Sequence, residues 1–168
     1  MATLHFICGK AASGKTTLAR ELAALHAGVL FCEDEWLTLL EAKIDSLADI
    51  VRHAKRLRAV IAPLAIRLLR LGVPVVFDFA GNTPKDRAWA RSIFESADAD
   101  HALHAIVASD ELCKAQLRLR NETKPEGLYY GFVSEDRFDE VTRYFVPPSD
   151  QENFHVIYYE AGVPLLKE

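Results

Sequence analysis

The sequence predicts a three-layer α/β fold, in which helices cover both faces of a parallel sheet of five strands. Three observations indicate this class. Short apolar runs alternate along the chain with segments whose apolar residues recur at helical spacing. The chain has 168 residues, a length that favours one domain with a sizeable core. It contains no internal repeat and no low-complexity tract, so a single domain over residues 1–168 is expected.

The predicted elements follow from the spacing of apolar residues. Apolar runs of strand length predict strands at residues 4–8, 29–32, 73–79, 102–108 and 155–159. Apolar residues that recur every three or four positions predict helices at residues 15–26, 33–40, 45–71, 85–96, 110–120 and 134–144.

Local signals mark the ends of several helices. Gly28 follows the first helix, where a glycine commonly terminates helical structure. Asp110 and Ser134 are the expected N-caps of the last two helices. Pro63 lies inside the long helix and should kink or split it. Pro84 stands where the next helix would begin.

Composition and charge exclude several classes of protein. The chain has 20 lysines and arginines and 24 acidic residues, and its net charge of −4 argues against an extended nucleic-acid surface. Its longest central apolar run, residues 59–66, is far shorter than the roughly 20 residues of a membrane span. No secretory signal is visible, and three cysteines without CxxC spacing predict reduced thiols. We therefore expect a cytoplasmic protein with no membrane partner.

The histidines do not indicate a metal site. The six histidines lack the spacing of metal ligands, and His101 and His104 are expected at the edges of the fourth strand. Cys8 directly precedes the first glycine-rich turn and is expected to be a small packed residue, not a nucleophile.

The strongest functional signal is the octapeptide GKAASGKT at residues 9–16, which matches the pattern G-x-x-x-x-G-K-[ST]. Its glycines let the backbone turn tightly, so that successive amides can point at phosphate oxygens. The helix that follows adds its positive end, Lys15 supplies a charge for the β- and γ-phosphates, and the Thr16 hydroxyl can bind Mg²⁺. The sequence therefore predicts ATP and Mg²⁺ as ligands. The expected nucleotide-binding residues are Gly9, Ala11, Ala12, Ser13, Gly14, Lys15, Thr16 and Thr17.

The chain resembles the small single-domain P-loop kinases related to polynucleotide 5′-kinase, zeta toxin and chloramphenicol phosphotransferase. The resemblance rests on four segments: FICGKAASGKTTLA, CEDEWL, VVFDFAGNTPKDR and DELCKAQLRLRN. Residues 41–60 match nothing in this family. The resemblance implies a P-loop NTPase fold of the nucleoside-kinase type, with the first and third strands adjacent at the centre of the sheet. It implies a mobile lid at about residues 118–133. It also implies transfer of the γ-phosphoryl group of ATP to an alcohol.

Two carboxylates follow predicted strands at the edge where parallel sheets bind ligands. Asp34 comes just after the second strand, and the resemblance implies that it orients and deprotonates the acceptor hydroxyl. The alternative is that Asp34 only caps the short helix that follows. Asp78 ends the apolar run of the third strand and is a candidate for holding Mg²⁺ through water or for bonding the acceptor. A strand-end carboxylate that binds loop amides is the alternative for Asp78.

Further candidates lie after the third strand and before the predicted lid. Asn82 and Arg87 stand where the resemblance implies contacts to the acceptor. Arg118 and Arg120 end a predicted helix, and such an arginine stabilises the charge of a transferring phosphoryl group. Residues two apart lie on different helix faces, so we expect one of them to reach the phosphates, and Arg118 is favoured. The alternative is that both only complement the helix dipole.

The sequence leaves two other functions open. One is a P-loop ATPase that acts as a nucleotide-dependent switch, although neither Gln116 nor Gln151 is clearly placed to orient a water molecule. The other is a nucleic-acid 5′-hydroxyl kinase. A basic cluster on the long helix could meet an anionic acceptor or form a solvated face; it consists of Arg52, Lys55, Arg56 and Arg58. The small-molecule or nucleotide-like acceptor and the oligomeric state stay open.

Overall fold

The computed structural model describes residues 1–40 and 46–161. The strands of this part of the chain are β1 (Thr3–Cys8), β2 (Val29–Cys32), β3 (Val75–Ala80), β4 (Asp100–Val107) and β5 (Val156–Glu160). Its α-helices are α1 (Lys15–Leu25), α2 (Glu33–Leu39), α3 (Leu47–Arg70), α4 (Pro84–Ala97), α5 (Asp110–Thr123) and α6 (Glu135–Thr142). Among the helices of these residues, none is long and apolar enough to cross a bilayer.

All five strands form one parallel sheet in the order β2-β3-β1-β4-β5. The prediction that the first and third strands are adjacent is confirmed, since Leu4 of β1 pairs with Val75 of β3. Parallel neighbours need crossover connections, which place helices against the faces of the sheet. The same arrangement brings the carboxyl ends of β1, β2 and β3 to one edge of the sheet.

The two faces of the sheet are covered by different helices. On one face, Leu18 and Leu22 of α1 pack with Ile7 of β1 and Val76 of β3. On the other face, α3 and α4 cover Phe6 and Phe77 with a larger set of buried residues that includes Leu57, Ile61, Ala65, Ala90 and Ile93. The three-layer α/β fold expected from the sequence is therefore confirmed.

Several element ends differ from the predicted ones. Pro63 lies inside α3 without splitting it. The N-cap of α5 is Ser109, whose hydroxyl accepts a hydrogen bond from the amide of Leu112, so Asp110 is the first helical residue and not the cap. Strand β3 begins later than expected because the amide of Val73 donates to Leu68 and closes the end of α3. The predicted start of the long helix at residue 45 lies outside the described residues.

Arg87 of α4 is a structural residue at the centre of the fold, with 0% of its surface exposed. Its Nε and Nη2 donate to the two carboxylate oxygens of Glu152, each at 2.7 Å. Its Nη1 donates to the carbonyl oxygens of Gly81 at 3.0 Å and Val146 at 2.9 Å. Its guanidinium is thus fully occupied by the protein. The expected contact between Arg87 and an acceptor is therefore replaced by a link between α4 and the segment that precedes β5.

The side chains of His5, His104 and Tyr159 form a hydrogen-bonded chain across three strands of the sheet. His5 Nδ1 lies 3.0 Å from His104 Nε2, and His104 Nδ1 lies 2.8 Å from Tyr159 Oη. Burial lowers the pKa of His5 to about 4 and that of His104 to about 3. His104 is a buried residue in the middle of β4, so the expectation that it lies at a strand edge is wrong.

Replacing Arg87 by alanine is expected to lower the free energy of unfolding by about 3 kcal/mol, because it leaves Glu152 and two carbonyl groups without their partner. Arg67→Ala is the matched control, since Arg67 is an exposed arginine of α3, and it should change stability by less than about 0.5 kcal/mol. Urea unfolding measures both. Equal stability of the two variants would contradict the structural role of Arg87.

Lowering the pH from 7 to 5 is expected to destabilise the fold by about 1 to 2 kcal/mol for each of the two buried histidines. An unfolded histidine has a pKa near 6.5 and takes up a proton over this interval, whereas folded His5 and His104 stay neutral. Chemical denaturation at both pH values should show a smaller loss for His104→Gln than for the wild type. The variant His155→Gln, at an exposed position, should keep the full loss.

Candidate functional site

The loop between β1 and α1 has the backbone of an anion-binding turn. Ala12 and Gly14 adopt left-handed conformations with φ of 56° and 100°, and the amide of Ser13 donates to the carbonyl of Lys10 at 3.3 Å. Alternating right- and left-handed residues form a concave backbone whose amides share one side. Gly14 is also the N-cap of α1, so the positive end of that helix faces the same region. We call residues 9–16 the phosphate loop.

Neighbouring elements hold the phosphate loop in place. The amide of Gly9 donates to the side-chain oxygen of Asn82 at 2.9 Å, and Lys10 forms an ion pair with Asp110 at 2.5 Å. A side chain at position 9 would not fit, because a Cβ there would lie 2.7 Å from Ser13 Oγ. Asn82 therefore positions the loop, while its expected contact with an acceptor stays a prediction.

Lys15 lies between the phosphate loop and two carboxylates. Its Nζ donates to the carbonyl oxygens of Gly9 at 2.9 Å and Lys10 at 2.7 Å. Burial lowers the pKa of Lys15, and the negative charges of Asp78 and Asp34 oppose that effect. The fold thus brings together three residues predicted from three separate segments: Lys15, Asp34 and Asp78. The following Thr16 is half-buried and Thr17 is exposed.

Asp78 and Asp34 differ in their surroundings. Asp78 is buried at 8% exposure, and Cys32 Sγ donates to its Oδ2 at 3.2 Å. Burial and Asp78 raise the pKa of Cys32 to about 12, so this residue remains a thiol. Asp34 is exposed to solvent, although protein atoms surround its carboxylate on most sides. This burial raises the pKa of Asp34, Asp78 raises it further, and Lys15 and Arg120 oppose the rise.

The alternative in which Asp34 caps α2 is not what the structure shows. The N-cap of α2 is Cys32, and no side chain caps this helix. Asp34 lies in the first turn, where an acidic residue suits the helix dipole, and its side chain remains exposed to solvent.

Arg58 departs from the basic cluster predicted on α3. Its Nη1 lies 2.6 Å from Asp86, its Nε lies 3.7 Å from Glu33, and its guanidinium lies 5.0 Å from the centre of the Trp89 ring. Burial raises the pKa of Glu33 to about 7, with Arg58 opposing the rise. Arg58 therefore joins α2, α3 and α4 inside the protein. The other members of the cluster lie on an exposed face: Arg52, Lys55 and Arg56.

The two arginines of α5 have different surroundings. Arg118 is exposed, with 57% of its side chain accessible, and it pairs with Glu135 at 2.5 Å. Arg120 is half-buried, its Nε has no hydrogen-bond partner among the described residues, and its charge acts on Asp34. These surroundings favour Arg120 over Arg118 as the phosphate-contacting arginine, and the assignment of either residue stays a prediction.

The segment after α5 folds back toward α1 and α2. Arg20 of α1 donates to the carbonyl of Gly127 at 2.6 Å, and the hydroxyl of Tyr130 donates to the same carbonyl at 2.7 Å. Burial, followed by proximity to Cys32, raises the pKa of Tyr130 to about 12. At the far end of this segment, the side-chain amide of Asn121 donates to the carbonyl oxygen of Val133 at 2.7 Å. The segment thus lies against α1 and the end of β2, and its mobility as a lid stays a prediction.

An open cleft of about 330 Å³ adjoins the phosphate loop on the side of α5 and β5. Its lining includes Ser13, Gly14, Thr17, Gln116, Tyr159 and Glu160. Ser13 Oγ is buried and has no hydrogen-bond partner among the described residues. The sequence analysis did not place Tyr159 in this cleft, and it considered Gln116 only as a residue that could orient water. The signal available for Tyr159 was its place at the carboxyl end of the fifth predicted strand.

The side chains at the site are compatible with a magnesium ion that takes most of its ligands from water and substrate phosphates. Within residues 1–40 and 46–161, no group of three or more histidine, cysteine or acidic side chains is arranged to hold a metal. Mg²⁺ is typically held in kinases by one or two protein ligands, together with water and substrate phosphates. Asp78, which acts on Lys15, and the hydroxyl of the neighbouring Thr16 would supply such a small set.

Comparison with known proteins places this site in a family. A family model described as an AAA domain matches residues 4–148. The chain belongs to that family. No curated protein matches the chain.

Solved structures share the architecture of this AAA domain at low sequence identity. A gluconokinase from Sinorhizobium meliloti 1021 is 15% identical, with a TM-score of 0.64 over 98% of this chain and 85% of that one. Chaetomium thermophilum Kti12, solved with ADP-AlF3, is 14% identical, with a TM-score of 0.72 over 95% and 89%. The APS kinase CysC of Mycobacterium tuberculosis is 17% identical, with a TM-score of 0.50 over 85% and 96%. The resemblance to P-loop kinases and the P-loop fold are confirmed.

Arg120→Ala is expected to lower the rate of ADP formation from Mg-ATP by about 100-fold, since removing one charge-stabilising donor costs this much in related chemistry. Arg118→Ala is the matched control, and its rate should change by less than about threefold because an exposed ion pair contributes little. A coupled assay of ADP release measures both. A larger loss of rate in Arg118→Ala than in Arg120→Ala would identify Arg118 as the phosphate-contacting arginine.

Proposed function

We propose that this AAA domain is a kinase that transfers the γ-phosphoryl group of ATP to a hydroxyl of a small-molecule or nucleotide-like acceptor. One observation carries the proposal. The ammonium of Lys15 is held at the phosphate loop while two carboxylates from the ends of β2 and β3, Asp34 and Asp78, act on it. A site that only bound nucleotide would have no need of an accessible carboxylate opposite the phosphates.

The phosphate loop and Lys15 form the donor side. The amides of residues 9–16 and the Lys15 ammonium would bind the β- and γ-phosphates. The unpaired Ser13 Oγ is a further donor at this place. The nucleoside would occupy the cleft lined by Gln116 and Tyr159, which is large enough for a base and ribose.

Thr16 and Asp78 would hold Mg²⁺ in this proposal. The ion would neutralise charge on the β- and γ-phosphate oxygens. The buried position of Asp78 and its hydrogen bond from Cys32 keep its carboxylate in one place at the sheet edge.

Asp34 and Arg120 form the acceptor side of the reaction. The acceptor hydroxyl gives its proton to the Asp34 carboxylate, its oxygen bonds to the γ-phosphorus, and the bond from that phosphorus to the bridging oxygen of ADP breaks. The raised pKa of Asp34 brings this carboxylate closer to the range in which it works as a base at neutral pH. Arg120 would stabilise charge on the transferring group.

Asp34→Asn is expected to lower phosphoryl transfer by about 1,000-fold or more, because the amide can orient the acceptor but cannot take its proton. Transfer is followed with γ-labelled ATP and a panel of metabolites and 5′-hydroxyl oligonucleotides, with free phosphate counted separately. Calorimetry should show that Mg-ATP binding is retained.

Asp136→Asn is the matched control for this variant, since Asp136 is an exposed acidic residue in the first turn of α6. It should transfer label at the wild-type rate. Normal transfer by Asp34→Asn would disprove the role of Asp34. Release of free phosphate alone, with no labelled acceptor in the wild type, would favour the nucleotide-dependent switch, and labelled oligonucleotide would favour the nucleic-acid 5′-hydroxyl kinase.

A further inference from the structure

We infer that Tyr159 contacts the base of the nucleotide and that His104, anchored by His5, is the positioning residue that holds Tyr159 in place. The inference rests on the proposed function, which puts the nucleoside in the cleft beside the phosphate loop, and it names the residues that fix it there. It follows from the hydrogen-bonded chain of His5, His104 and Tyr159, because one end of this chain lies at that cleft.

The sheet forms one wall of the cleft. Ile106 of β4 and Tyr159 of β5 are paired in register, and both line the cleft. Leu18 of α1 and Gln116 of α5 line it from the helices. The lining thus combines an aromatic ring and aliphatic side chains with a few polar groups, which is the usual composition of a small-molecule site. An aromatic ring in such a wall offers a planar base a face on which to stack.

The hydroxyl of Tyr159 is tied to the interior of the protein. Its Oη lies 2.8 Å from Nδ1 of His104, and the other ring nitrogen of His104 lies 3.0 Å from Nδ1 of His5. A neutral imidazole has one donating and one accepting nitrogen, and both nitrogens of His104 are in use here. Because His104 is buried, a displaced Tyr159 would leave one of these nitrogens without a partner, at a cost in free energy. The hydrogen bond therefore restrains the Tyr159 ring.

His5 is itself held by the end of α1. His26, the C-cap residue of α1, stacks on the His5 ring with the ring centres 4.3 Å apart and the planes at 19°. His5 is buried, whereas His26 is exposed. The restraint on Tyr159 thus extends from the last turn of α1, across β1 and β4, to the cleft near the first turn of the same helix.

Packing of this layer does not require polar side chains. Ile7 and Ile106 lie two positions after His5 and His104 in the same strands, and they pack against α1 with aliphatic side chains. Burial lowers the pKa of both histidines, so the interior disfavours charge on these rings. Buried polar groups cost free energy unless they are hydrogen-bonded. A polar path through an apolar layer is therefore explained by the residue that it restrains, Tyr159 at the cleft.

Tyr159→Leu is expected to weaken the binding of Mg-ATP by about 30-fold, since stacking of a base on an aromatic side chain contributes about this much. Binding of magnesium tripolyphosphate, which has phosphates but no nucleoside, should change by less than about twofold. Titration calorimetry on the full-length protein measures both ligands. Tyr158→Leu is the matched control, because Tyr158 is an exposed residue of the same strand on the opposite face of the sheet, and it should leave both affinities unchanged.

The positioning role of His104 is tested by a split between KM and kcat. His104→Leu should raise the KM for ATP by about fivefold, the effect of one lost hydrogen bond, and change kcat by less than about twofold. His104→Gln should restore KM to within about twofold of the wild type, because an amide can also donate and accept. Tyr159→Phe removes the same hydrogen bond without a change in the interior, and it should raise KM as His104→Leu does. Urea unfolding verifies that each variant is folded in the assay.

The outcomes separate this inference from the proposed function. Unchanged Mg-ATP affinity in Tyr159→Leu overturns the inference and leaves the kinase proposal standing. Equal losses for Mg-ATP and tripolyphosphate also overturn it, because the phosphate loop would then be disturbed. A normal KM in both His104→Leu and Tyr159→Phe, or a KM that glutamine does not restore, overturns the positioning role of His104. Free phosphate as the sole labelled product of the wild type overturns the kinase proposal and leaves the contact between Tyr159 and the base standing.

Discussion

The site depends on one positive charge held between two kinds of negative partner. Lys15 donates to the carbonyl oxygens of Gly9 and Lys10 and is acted on by Asp78 and Asp34. This arrangement requires β1, β2 and β3 to end at the same edge, because the loop follows β1, Asp34 follows β2 and Asp78 lies near the end of β3. The parallel sheet with β1 beside β3 satisfies that requirement. The fold thus places the positive charge of Lys15 beside the negative charges of Asp34 and Asp78.

Much of this structure could be predicted because it depends on residues that are close together in the sequence. A strand, a glycine-rich turn and a helix follow one another in residues 3–25, so the phosphate loop is visible as a continuous motif. Apolar runs of four to eight residues revealed each strand, since strands of a parallel sheet are buried on both faces. The adjacency of the first and third strands came with the resemblance to P-loop kinases and is confirmed.

Interactions between distant residues were not predictable in the same way. Arg87 meets Glu152 across 65 positions, and no spacing rule connects an arginine near the start of a helix with a residue before the last strand. For Arg118 and Arg120, helical geometry shows that only one can face the cleft. Which one depends on the packing of α5 against α6, where Arg118 finds Glu135. His104 was misplaced because its partners, His5 and Tyr159, belong to two other strands.

The hydrogen bond from Arg20 to Gly127 joins two parts of the molecule with different tasks. Arg20 belongs to the helix that begins at Lys15, while Gly127 belongs to the segment predicted to move as a lid. In that prediction, a ligand bound at the start of the helix would favour the position of the segment in which this contact is made. By thermodynamic reciprocity, the contact would in turn raise affinity at the start of the helix by the same factor.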